Sequence, residues 1–184
     1  MKPLKRVHYF AGQLIGTEDL QSEQDYHLAK QRRHNLLTLG SGVVSGLNVS
    51  VTESAGDSGI QVSPGLAIDA LGNEIVIDDP QTIEFPTGFD PVWLVISYTE
   101  KLTDPVSSAG VLQPTRIEEG FKLEYIAEHD TPDDGQIKLE RLRMRNGRWE
   151  IVKTCGGSFV AFGLVLIGLA VVSCLLGRQS SARQ

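Results

Sequence analysis

IKLERLRMRNGRWEIV, Ile137–Val152, is the stretch whose reading decides the fold. Apolar and charged residues alternate on both sides of Asn146-Gly147. Strict alternation places one face of a strand on a core and the other in water. Asn-Gly between two such runs supplies the two positive-φ positions of a tight hairpin. The chain therefore contains two antiparallel strands joined at 146–147.

Upstream, the same signals recur. FKLEYIAEH (Phe121–His129) alternates and ends in the turn PDDG (Pro132–Gly135). PVWLVISYTE (Pro91–Glu100) is apolar enough to be a central strand. Residues 101–116, with their prolines and serines, read as a loop. TIEF (Thr82–Phe85), EIVI (Glu74–Ile77), LAID (Leu66–Asp69) and IQVS (Ile60–Ser63) read as short strands. Gly72-Asn73, Pro64-Gly65 and ESAGDSG (Glu53–Gly59) supply turns between these segments and before them. VVSGLNVSV (Val43–Val51) reads as one strand with Gly46 at a bulge.

Before the strands lies one helix. Residues 17–39 contain no Gly or Pro. Thr17 offers a hydroxyl N-cap, Glu18 and Asp19 place acids in the first turn, and Gly40 suits the C′ position. The apolar positions, Leu20, Tyr26, Leu28, Ala29, Leu36, Leu37 and Leu39, are too sparse to form a core, so the helix must lie on something. Its cationic stretch Lys30–Arg33 reads as the solvated face. Residues 1–16 read as an extended arm. One helix followed by roughly eight short strands implies a mainly β fold, an antiparallel sandwich or barrel-like head.

Downstream of the hairpin the composition changes. Cys155–Gly177 carries no charged side chain, and Phe159–Leu176 (FVAFGLVLIGLAVVSCLL) is almost wholly apolar. As a helix it would span about 34 Å, enough for a hydrocarbon core of about 30 Å. Turn chemistry that would split it into strands is missing. The expectation is a single C-terminal transmembrane helix, with Phe159, Leu164, Ile167, Leu169 and Leu175 among its membrane-spanning residues. Arg141, Arg143, Arg145, Arg148 and Lys153 precede it; Arg178 and Arg183 follow. By the positive-inside rule the N-terminal part is expected in the cytoplasm, with no secretory signal ahead of it. The expected organisation is an arm (1–16), a helix (17–40) and a β-rich head (41–154) forming one domain with that helix. An anchor (155–177) and a short polar tail (178–184) complete it.

All 23 acidic residues and 15 of the 17 basic ones precede Cys155, so that part carries −8. Nucleic-acid binding needs a positive footprint, and the balance speaks against it. Cys155 and Cys174 would lie about 28 Å apart on a helix, too far for a disulfide. Neither CxxC nor zinc-type spacing occurs.

Three constellations invite a chemical reading. Asp19, Glu23 and His27 share a helix face and could offer metal ligands, but such a row reads first as a charge stitch. His34, one heptad beyond His27, reads as a surface or packing residue. Asp69 and Glu74 flank a glycine turn and could bind calcium, yet turns favour acids anyway and no EF-hand pattern is present. Asn48-Val49-Ser50 is a formal glycosylation sequon, silent in a cytosolic head. No nucleophile motif, P-loop or HExxH occurs, so no enzyme, cofactor or metal is expected.

The blocks HYFAGQLIGTEDLQSEQDYHLAKQRRHNLLTLGSGVVSGLNV (His8–Val49) and VSPGLAIDALGNEIVI (Val62–Ile77) resemble a bacterial family associated with phage-tail-like contractile injection systems. Pro91–Val106 and Thr115–Glu124 resemble it too. The aromatic-x-Gly-Gln-Leu opening followed by a Gln-rich acidic helix is also similar to the adaptor that joins a type VI secretion baseplate to its membrane complex. The resemblance implies a non-enzymatic structural or adaptor protein with protein partners in a larger assembly. Tyr9, Phe10 and Leu14 of the arm are then the expected partner contacts. The alternative is a membrane-anchored sandwich that binds a carbohydrate or peptide, with Trp93, Trp149 and several tyrosines as a stacking platform.

Overall fold

The computed structural model describes residues 3–54, 57–88, 90–108 and 110–152. The apolar segment Cys155–Gly177, with Phe159, Leu164, Ile167, Leu169 and Leu175, lies outside the described residues. Among the described residues no helix is long and apolar enough to cross a membrane.

The fold is mainly β with one N-terminal helix. Helix α1 spans Thr17–Thr38. Among the described residues ten strands follow: β1 Gly42–Gly46, β2 Val49–Ser54, β3 Asp57–Val62, β4 Gly65–Ile68, β5 Glu74–Ile77, β6 Gln81–Ile83, β7 Val92–Ser108, β8 Val111–Ala127, β9 Gln136–Arg145 and β10 Arg148–Ile151. All pairings are antiparallel, in three sheets: β1-β4-β5, β2-β3-β6 and β10-β9-β7-β8.

The hairpin at Asn146-Gly147 forms as its sequence predicts. Both residues have positive φ, 52° and 77°, and Arg145 pairs with Arg148 across the turn. EIVI forms β5 with the predicted bounds, burying Ile75 and Ile77 while Glu74 and Val76 face outward.

VVSGLNVSV is not one strand. The chain leaves one sheet at Gly46 and enters another at Val49. Gly46 pairs with Gly65 and Val49 with Val62, so β1–β2 and β3–β4 are the two arms of a single hairpin, bent sharply across its middle. Gly46 (φ 63°) and Leu47 (φ 54°) make the bend. Two backbones touch there: a Cβ on Gly46 would sit 2.0 Å from the Pro64 carbonyl oxygen, and one on Gly65 would sit 2.3 Å from that of Ser45. Only glycine permits this approach. The Leu47 N–H donates to the Pro64 carbonyl at 3.2 Å and the Ser63 N–H to that of Asn48 at 2.9 Å, so the corner keeps its backbone groups paired. The bend makes two short sheets out of one hairpin, and β5 and β6 widen them.

These short sheets share one core with the four-stranded sheet. Ile60, Val62, Ala67, Ile75 and Ile77 pack with Val92, Leu94, Ile96, Leu142 and Trp149, and Leu47 plugs the corner. Burial of side chains of this size contributes about 1.5–3 kcal/mol each.

Residues 101–108 and 111–116 are strand, not loop. Strands β7 and β8 pair without a slip from Val92↔Ala127 to Ser108↔Val111. Pro105 stands opposite Pro114, so that rung has no N–H donor. Asp104, at φ 52°, instead gives its carbonyl to the Thr115 hydroxyl at 2.7 Å. Strand β9 last pairs with β7 at Ser97. From there the two-stranded ribbon runs on for about 35 Å.

Candidate functional site

The helix, one turn and the ribbon meet at a single junction. Asp69 builds the turn. It is buried, and its Oδ1 accepts the N–H groups of Leu71 and Asn73, both at 2.9 Å. Its Oδ2 accepts the Asn73 side-chain amide at 2.7 Å. The carboxylate is engaged in shaping the β4–β5 turn, which is the structural rather than the calcium reading.

The turn carries the helix. Gly72 (φ 89°) lies against α1 so closely that a Cβ would come within 2.3 Å of the Arg32 carbonyl oxygen. Asn35, the one buried residue of α1, donates its side-chain amide to the Gly72 carbonyl at 3.0 Å and to Glu74 Oε1 at 3.1 Å. Gln31 adds a bond to the same Glu74 oxygen at 2.9 Å. Arg32 Nη2 reaches Glu100 Oε1 of β7 at 3.5 Å. Half of the expected solvated stretch Lys30–Arg33 thus faces the protein: the helix docks by polar groups at its C-terminal half. Three of its leucines stay out, Leu20, Leu28 and Leu37 being 57 %, 40 % and 68 % exposed.

The helix ends differ in how far the sequence foretold them. Gly16, not Thr17, is the N-cap; Asp19 Oδ2 accepts its N–H at 3.1 Å. An acid at this position satisfies an orphan donor without needing a hydroxyl cap. Gly40 (φ 75°) closes the other end as expected, its N–H on the Asn35 carbonyl at 3.2 Å. Of the row Asp19, Glu23 and His27, the first caps the helix and the other two pair at 3.1 Å. His34 is exposed. No group of three His, Cys, Asp or Glu side chains converges among the described residues.

Between α1 and the ribbon runs a groove of about 1220 Å³. Leu20 and Leu28 line one wall; Leu102, Pro114 and Ile117 line the other. Glu23, Asp25, Glu100 and Glu119 border it, against Arg32 and Arg116. Arg32 closes one end by its contact with Glu100. There the Tyr98 hydroxyl donates to Glu100 Oε1 at 3.0 Å. Burial, followed by the nearby Glu100 and Glu119 carboxylates, pushes the Tyr98 ionisation well above its ordinary range.

The arm has a turn at Ala11-Gly12 rather than a uniformly extended path. The Gln13 N–H donates to the Phe10 carbonyl at 3.2 Å, and Gln13 Oε1 accepts the Phe10 N–H at 3.3 Å. Leu4 folds back beside Tyr26, His34 and Leu37 of α1. Tyr9, Phe10 and Leu14 are 43 %, 66 % and 94 % exposed. They lie apart from the helix–ribbon groove, whose ribbon residues Leu102, Pro114 and Ile117 are not singled out by the sequence. The alternation in TEKLT and in TRIEE was a usable signal, overruled by the neighbouring prolines.

Trp93 and Trp149 do not form a shared exposed stacking platform. Trp149 is buried in the core, because the hairpin register turns it inward beside Leu142. Trp93 is half-buried and covered by the Lys138 ammonium, 4.8 Å from its ring centroid. Arg141, part of the basic cluster before the apolar segment, pairs with Glu128.

No family model and no curated protein matches the chain. Two solved structures are similar over 82 % of it, each at 12 % identity. One is a crystal structure of TssK (TM-score 0.45), and the other is the baseplate complex from the type VI secretion system (TM-score 0.44). The chain spans 41 % and 58 % of the lengths of those two chains.

Proposed function

We propose that this chain is a non-enzymatic structural subunit that docks a contractile injection assembly at the cytoplasmic membrane. The observation that carries the reading is where its exposed apolar side chains sit. Phe10, Leu14, Leu20, Leu102, Leu112 and Ile117 are all more than half exposed, and all belong to the arm, the helix and the ribbon. None of these residues contributes to the shared core. Scattered exposed leucines are ordinary, but their concentration on elements that leave the core marks surfaces meant to be covered. The resemblance of His8–Val49 and Val62–Ile77 to proteins of contractile injection systems supports the reading that such an assembly covers them. Tyr9, Phe10 and Leu14 provide one contact. The apolar segment Cys155–Gly177 provides the tether, with the β-rich part in the cytoplasm.

Co-purification of the full chain in mild detergent tests the first half. It is expected to retrieve tube, sheath or baseplate subunits, less so after Tyr9→Ala, Phe10→Ala and Leu14→Ala together; an empty pull-down from cells that make the apparatus overturns it. Carbonate extraction tests the second half: the chain stays with the membrane pellet if Cys155–Gly177 spans the bilayer and is released if it does not.

A further inference from the structure

The groove between α1 and the ribbon is lined by none of the arm residues Tyr9, Phe10 and Leu14. Along the ribbon, Leu102 stands directly opposite Ile117 and Glu100 directly opposite Glu119. Alternation puts all four on one face, the face that lines the groove. Like charges directly opposite on a sheet destabilise it. Glu100 is relieved by Arg32 and the Tyr98 hydroxyl. Glu119 is exposed and has no ion-pair partner among the described residues. The rim as a whole carries four carboxylates against two guanidinium groups. A strand pair that served only the fold would gain from an opposite-charge pair at this rung. The arrangement instead presents an apolar stripe with an uncompensated acidic end.

We infer that this groove binds an amphipathic segment of a partner protein. Its apolar side chains would cover Leu20, Leu28, Leu102 and Ile117, and a lysine or arginine would sit against Glu119 and Glu100. The inference rests on the scaffold reading but concerns a different surface. Burial of the leucines supplies affinity, and the like-charge rung supplies selection for a basic partner and against an acidic one.

The test is a selection of random peptides displayed on phage by the full chain in mild detergent. Two variants run in parallel: Glu100→Gln with Glu119→Gln, and Leu102→Thr with Ile117→Thr. The Gln pair keeps an acceptor for Tyr98, and threonine suits a strand, so both variants fold; circular dichroism verifies this. The expected result is enrichment of peptides that combine leucine, isoleucine or phenylalanine with lysine or arginine. Synthetic copies should bind at least ten-fold more weakly to either variant and lose affinity as salt rises. Three results overturn the inference: no enriched sequence, an enriched pool without basic residues, or affinities unchanged in both variants. Assembly subunits that co-purify equally well with the wild type and the Leu102→Thr, Ile117→Thr chain leave the scaffold function standing and remove the groove from it.

Discussion

The two ends of the β7–β8 ribbon are made of the same strands and do opposite things. At the base, Val92, Leu94 and Ile96 are fully buried, with β9 beside them and the bent hairpin sheets over them. At the tip, Leu102, Val106, Leu112 and Ile117 are each more than half exposed, and β9 has ended. The register runs unbroken through both ends, although the Pro105–Pro114 rung of the tip lacks an N–H donor. Strand register therefore does not distinguish a core from a surface here; what covers the faces does. The base holds the domain together, and the tip, with α1 beside it, is free to meet another molecule.

Leu94→Ala and Leu102→Ala break this comparison most directly. The first should cost about 2–5 kcal/mol, the range for deleting a buried leucine side chain. The second should stay within about 0.5 kcal/mol, as expected of an exposed site. Urea denaturation of both variants measures the difference; equal losses would mean the tip is part of the core. Next in size is Asn35→Ala. It removes the Asn35 bonds to Gly72 and Glu74, leaving the Gln31 bond to Glu74 in place, and should cost about 1–3 kcal/mol. Hydrogen exchange should show the loss in α1 while Ile60, Leu94 and Leu142 stay protected. A uniform loss of protection would mean that helix and sandwich unfold as one unit.

Smaller still is the effect of Leu102→Thr with Ile117→Thr. A cross-strand pair of this kind is worth less than about 1 kcal/mol, so the melting transition should barely move while peptide binding falls. The smallest effect is the pH response. The Tyr98 and Tyr125 ionisations are both raised, by burial first and, for Tyr98, by Glu100 and Glu119 as well. A raised folded-state value means the unfolded chain releases the proton first. This contribution to stability is complete below about pH 10, the ordinary tyrosine value, and is lost as pH rises beyond it. Ultraviolet titration should show both ionising above the ordinary tyrosine range.

Much of this was legible locally. The Asn146-Gly147 hairpin, the EIVI strand, the helix and its terminal Gly40 all follow from residues within a few positions of one another. Turn dihedrals, alternation and capping are short-range physics, so the sequence states them outright. The errors share a different origin. Residues 101–116 looked like a loop because Pro105 and Pro114 break local strand preference; their register, opposite each other on one rung, depends on residues nine positions apart. Val43–Val51 looked like one strand because nothing inside it says that Pro64 and Gly65 cross it at Gly46. Asn35 looked like one polar helix residue among many until Gly72 was beside it.

The sequence by itself determined that the chain is mainly β with one N-terminal helix, and where most strands and turns fall. It also holds an uncharged apolar segment at Cys155–Gly177, whose tethering role is part of the proposal. Tertiary structure alone decided that one hairpin bends into two sheets, that the helix rides on the Asp69–Asn73 turn, and that helix and ribbon leave a groove between them. The reason is distance along the chain. Each of those features is a contact between segments 15 to 100 residues apart, such as Asn35 with Gly72 or Arg32 with Glu100, and no window short enough to read locally contains both partners.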